Sequence, residues 1–217
     1  MNKNEVIKQD FNWLFIGTVI CFAVSYLSTI NLDVALVIFG AFGGYGAIVY
    51  AIIELVVAII LIARIHKMKP TTAKILYLLY TALTGLSLSG IFLVYTSTSL
   101  AFVFLGTALI FGIFALIGKT TKADLSKMGI YLFVCLLAII ILEIINLFIL
   151  NNTLDIITCI IGIAVFAGYV AYDIKRAINM GDGGDFANAG IYCAFQLFLD
   201  FINIFIRLLR LFGNSRD

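Results

Sequence analysis

Stretches of about 20 or more mostly apolar residues recur along this chain, each long enough to cross a hydrocarbon core of about 30 Å as an α-helix. They predict helices over about residues 11–30, 45–63, 75–95, 100–118, 129–150, 156–177 and 187–212, and they leave no room for a soluble domain. Of the 217 residues, 63% are hydrophobic and 12% charged, against roughly 45–50% and about 25% in soluble domains. The chain therefore reads as one all-α integral membrane domain over residues 1–217, a bundle of seven transmembrane helices. The second apolar run reaches back to Val34. Gly40, Gly43, Gly44 and Gly46 in its first half put the start of the crossing near Tyr45, or else Gly40 and Gly44, four apart on one helical face, form a close-packing seam. The first span lacks a small-residue cleavage site behind a short apolar core, so it is expected to be retained rather than removed as a signal peptide.

Lysine and arginine between the spans set the orientation, because cytoplasmic loops keep positive charge. Lys3 and Lys8 precede the first span. Arg64, Lys67, Lys69 and Lys74 follow the second, Lys119, Lys122 and Lys127 the fourth, and Lys175 and Arg176 the sixth. The other connections, around Asp33, Thr96–Ser99 and Asn151–Asp155, carry neither residue type. The N-terminus is thus expected in the cytoplasm, with Asp173 near the cytoplasmic end of its helix. Arg207 and Arg210 break the pattern: a full last crossing puts them outside, and the alternative is a segment that turns back.

Soluble chemistries find little support. Gly112-Ile-Phe-Ala-Leu-Ile-Gly118-Lys119-Thr120 has one residue too many between its glycines for a phosphate loop, and its interior is apolar. Cys21, Cys135, Cys159 and Cys193 stand singly in apolar runs, as small hydrophobes rather than zinc ligands or a disulfide framework. His66, the one histidine, has no serine or cysteine partner set for a catalytic triad. The basic loops lack the interleaved aromatics of a nucleic-acid surface and read as topology and lipid-facing charge. Asp182-Gly-Gly-Asp185 is short of the oxygens of a calcium loop and reads as a turn.

Four acidic residues fall inside the predicted spans: Glu54, Glu143, Asp173 and Asp200. A carboxylate is costly in hydrocarbon, so each calls for a partner or a function. Glu143 has only Asn146, one turn on, as an obvious neighbour. Arg64 lies ten residues after Glu54, about 15 Å along a helix axis and too far for a direct pair, but at the cytoplasmic mouth. Asp200 sits deep in the last segment with no cation on the adjacent turns. Asp173 and Asp200 are 27 residues apart across a glycine-rich turn, which suits adjacent antiparallel helices but leaves their relative depth open. Two carboxylates brought together share one proton over a wide pH interval and act as a pH sensor. Their oxygens also suit a hard cation.

Leu197-Phe-Leu-Asp200-Phe-Ile-Asn203-Ile-Phe-Ile-Arg207-Leu-Leu-Arg210-Leu-Phe-Gly213, preceded by Ala171-Tyr172-Asp173, resembles the C-terminal signature of the Bax inhibitor-1 (transmembrane Bax inhibitor motif) family. Thr84-Gly-Leu-Ser-Leu-Ser89, Thr120-Thr-Lys122-Ala-Asp124-Leu-Ser126-Lys-Met-Gly129 and Glu54 are similar to further family features, so the likeness runs from about Tyr45 to Gly213. The resemblance implies a seven-helix bundle with the C-terminal helix central, and, for bacterial members, a pH-sensitive calcium leak. On that pattern Asp173 and Asp200 are the gating pair and transient calcium ligands, Arg64 is the latch that holds the first aspartate in an open form, with His66 or Lys67 as substitutes, and Glu54 lines the ion route. Glu143 has no counterpart in it.

The expected function is a passive calcium leak gated by protonation of the aspartate pair: a channel and not an enzyme, with no cofactor beyond calcium and protons. A cytoprotective interaction protein that modulates a membrane protease is the alternative, binding through lipid-exposed small-residue faces at Gly40/Gly44 or Gly85/Ser89. Proton-coupled cation transport is the third reading. Expected partners are calcium, the lipid bilayer and a membrane protein, with no nucleic acid. The short chain suggests a multi-pass protein of a bacterial plasma membrane.

Overall fold

The computed structural model describes residues 3–30, 46–183 and 188–215. Among them are seven long helices: α1 (Lys3–Ile30), α2 (Gly46–Arg64), α3 (Pro70–Val94), α4 (Ser97–Thr120), α5 (Met128–Ile149), α6 (Asn152–Gly183) and α7 (Ala189–Phe212). Each is long and apolar enough to cross a membrane, so the chain is an all-α, seven-span membrane protein. Helices satisfy their backbone internally, which a segment without water requires.

Local chemistry marks several boundaries. Pro70 opens α3 at a position where its missing N–H is not needed. Leu150, with φ 53°, ends α5 in the left-handed region, and the Asn151 side chain then caps α6 by accepting the Leu154 N–H at 3.0 Å. Two helices outrun the sequence expectation. α1 begins at Lys3 rather than near residue 11, and α6 continues to Gly183 rather than about 177. α7 is one unbroken helix of 24 residues, so the last segment does not turn back. The Gly40/Gly44 seam lies outside the described residues, as does part of the Asp182–Asp185 turn.

The chain forms two compact units, with α7 contributing to both. The first comprises Met1–Ser97, Met180–Phe195 and Ser215–Asp217; in it α3 packs against α1 and α2. Helices in lipid have no hydrophobic drive toward one another, so close approach and hydroxyl bonds hold them. Ser25 Oγ donates to the Gly85 carbonyl at 2.8 Å, and a Cβ on Gly85 would lie 2.5 Å from the Cys21 carbonyl oxygen. Gly85 and Ser89 are therefore buried, which corrects the expectation of a lipid-exposed small-residue face there.

The second unit comprises Thr98–Asn179 and Gln196–Asn214. Phe104 and Phe111 of α4 set their rings edge-on to Phe201 of α7, with centroids 5.5 and 5.7 Å apart. In the α4–α5 loop, the Ser126 hydroxyl and amide both donate to Asp124, holding its carboxyl below the usual carboxylate range. Burial is uneven: 72% of the α7 span is buried but only 6% of the α5 span, whose apolar side chains face outward.

Candidate functional site

Asp173 on α6 and Asp200 on α7 are both buried, with their carboxyl groups within hydrogen-bonding reach of each other. Their depths match because of the longer α6: Asp173 lies ten residues before its end, and Asp200 eleven after the start of α7. An ionised carboxylate only accepts, so a bond between two carboxyls holds one proton between them. Among the described residues the Oδ2 of Asp200 has no hydrogen-bond partner, nor does the buried Oε1 of Gln196, one turn earlier on α7. Gln196 and Asp173 line a cavity of about 310 Å³ together with Ser126, Tyr169, Tyr172 and Arg176. Tyr169 and the cationic Arg176 share the cavity wall with Asp173. The site thus combines two adjacent buried carboxyl groups, uncommitted oxygens and a space beside them.

Other candidates stand elsewhere. Glu54, in the first unit, accepts from Thr84 Oγ1 at 2.7 Å and Ser87 Oγ at 2.8 Å, so the hydroxyls of the Thr84–Ser89 motif satisfy it. Arg64 is exposed at the end of α2, also in the first unit. His66 is exposed in the 3₁₀ turn Ile65–Lys67, its ring 5.6 Å from that of Tyr192. Among the described residues no group of three or more His, Cys, Asp or Glu is placed to hold a metal ion, so any cation at the aspartates would lean on other oxygens.

In the second unit, Arg207 of α7 is buried and its Nη1 donates to Glu143 Oε1 of α5 at 2.7 Å and to the Thr158 carbonyl of α6 at 3.2 Å. Its guanidinium also lies 5.4 Å from the Phe166 ring centre. Gly162 makes the space, since any Cβ there would fall on the Arg207 side chain. Arg210 reaches Asp155 at 3.5 Å. Both arginines that break the charge pattern of the loops are thus paired with carboxylates.

Comparison with known proteins decides the family. The model of the family described as inhibitor of apoptosis-promoting Bax1 matches residues 3–217. The chain belongs to the Bax inhibitor-1 family. It is 38% identical over 214 residues to the inner membrane protein YbhL of Escherichia coli K12, covering 96% of this chain and 91% of that protein. It is 35% identical over 220 residues to an uncharacterized protein of Borreliella burgdorferi, covering 99% and 94%. The resemblance read from the motifs is therefore the right one, and it extends to the N-terminal helix.

One acid of this Bax inhibitor-1 family protein escaped the sequence reading. Asp10 is fully buried in α1, and neither of its oxygens has a hydrogen-bond partner among the described residues. It lies against the first turn of α7, where a Cβ on Gly190 would be 3.3 Å from its Oδ1. The partial positive charge of that helix terminus offsets some of the burial cost. Replacing Asp10 by Leu is expected to stabilise the protein by about 1–3 kcal/mol, the usual penalty of an unsatisfied buried polar group. Thermal unfolding in detergent measures it, and a fall in stability would show the carboxylate to be structurally required.

Proposed function

We propose that this protein is a passive calcium leak of a bacterial plasma membrane, with its N-terminus in the cytoplasm and its gate at Asp173 and Asp200. The observation that carries the reading is the close approach of two buried carboxyls beside a cavity that Asp173 and Gln196 line together with Ser126 and Tyr169. While the shared proton stays, the pair is at most singly charged and α6 and α7 are tied together. When it leaves, two like charges in a medium of low dielectric repel, and a hard cation becomes the natural replacement. The protein acts as a channel rather than an enzyme, with calcium and protons as its ions. Membership of the family and a multi-pass membrane fold support this. The reading as an interaction protein is weaker, because Gly85/Ser89, one of the two surfaces it would use, is buried.

The test is calcium influx into liposomes holding the purified protein and a trapped indicator, at internal pH values from acidic to mildly alkaline. Influx is expected to rise with pH by at most about tenfold per unit, the limit for a gate controlled by one proton. No influx above protein-free liposomes at any pH would remove the conduction reading. Saturating influx with counterflow would replace it by proton-coupled transport.

A further inference from the structure

The polar residues of the second unit line up. On α7, Gln196, Asp200, Asn203 and Arg207 follow one another at intervals of four, three and four, which keeps them within an arc of about 60° on one helical face. On α6, Thr158, Gly162, Phe166 and Asp173 meet that face: Asp173 at Asp200, and the first three around the Arg207 guanidinium. Each end of the row opens on a cavity. Asp173 and Gln196 line the one of about 310 Å³ already described. Glu143, the partner of Arg207, lines another of about 610 Å³ with Asn146, Asn151, Asn152, Asp155 and Arg210.

The Glu143–Arg207 pair has no role in the gate at the aspartates, and its geometry is not that of a simple clamp. Glu143 is about a third exposed while Arg207 is buried, so the carboxylate meets the cavity and the guanidinium stands behind it. The Nε of Arg207 is buried without a partner among the described residues, so the guanidinium keeps an unsatisfied donor. A buried positive charge beside an ion route opposes cations. The carboxylate it occupies is the group in this cavity best suited to receive a hard cation, with amide oxygens alongside.

We infer that the Glu143–Arg207 ion pair is a second closure on the cation route, in series with the aspartate pair, and that the route reaches the outer side through the Glu143 cavity. A cation that takes the Glu143 carboxylate displaces the guanidinium and relieves the barrier behind it. The inference rests on the conduction reading and gives the route an acid other than Glu54, whose oxygens are engaged by Thr84 and Ser87.

Calcium influx per folded molecule separates the possibilities, with folded protein counted by gel filtration of each detergent-purified variant before reconstitution. Arg207→Met keeps volume and removes the charge, and is expected to raise influx at neutral pH by about tenfold, the effect of a small change in barrier. Its influx should still fall on acidification, because the aspartate pair is untouched. Glu143→Gln leaves the cation without its partner and is expected to lower influx by a similar factor. Arg207→Lys, which keeps the charge but lacks the flat guanidinium that lies against the Phe166 ring, should lie between wild type and Arg207→Met and covers the case in which the methionine variant does not fold. A pair that serves only to join helices would cost folded protein in the single variants and leave influx per folded molecule unchanged, and that result would overturn the inference. Wild-type liposomes silent at every pH would instead overturn the conduction reading itself.

Discussion

A chain carrying both Asp173→Asn and Asp200→Asn is expected to lose its pH response altogether, holding the low influx of the acidic wild type at every pH. Asparagine has nearly the shape of a protonated aspartate, and its amide donates where the carboxylic O–H did. Two such side chains keep α6 and α7 joined without any proton to lose. The single variants sharpen the argument. With Asp173→Asn alone, the new amide faces Asp200, which remains a single buried acid able to take or lose a proton. Each single variant should therefore keep a pH step, displaced from that of the wild type because the like-charged neighbour is gone. Calcium influx measured across the same pH series decides it. A double variant that still responds to pH would place the sensor elsewhere, and Arg176 and Tyr169, which share the cavity wall with Asp173, would be the next groups to change.

The sites of the apolar runs and the two aspartates were legible because each is a local property: about 20 residues of one character, or one charge where charges are costly. What depends on contacts between distant segments was not. Arg207 looked like a violation of the loop charge rule because its partner, Glu143, lies 64 residues away in the chain, and nothing local to either announces the other. Glu143 was read with Asn146, which instead uses its side-chain oxygen to accept the Asn151 N–H at the end of α5. The open question of depth between Asp173 and Asp200 belongs to an apolar run that ends near Ala177, whereas the helix continues to Gly183 through residues that leave the apolar run but not the helical backbone. Asp10 is hidden for the same reason at the other end of the chain, since the apolar stretch begins one residue later while the helix starts at Lys3. Glu54 was seen, but the hydroxyls that engage it were recognised only as a motif. Gln196 had a readable signal, one turn before Asp200 on the same face, once that face was known to be the buried one.

Replacing Glu143 by Leu is expected to destabilise the protein by about 3–5 kcal/mol, more than loss of the pair as a whole, because it strands a buried guanidinium that Gly162 and Phe166 hold in place. The Thr158 carbonyl alone would remain to receive it. Arg207→Met should cost less, since Glu143 is about a third exposed and reaches the cavity, where water can solvate it. With both changes made, an apolar pair of similar volume stands where the ions were, and most of the loss should be recovered. The three variants complete a cycle whose interaction energy isolates the pair, provided neither replacement creates new contacts. Unfolding in detergent, followed by loss of helical signal, provides the free energies. Losses that simply add would mean that the two residues do not depend on each other, and neither the stability argument nor a closure built from their contact would survive.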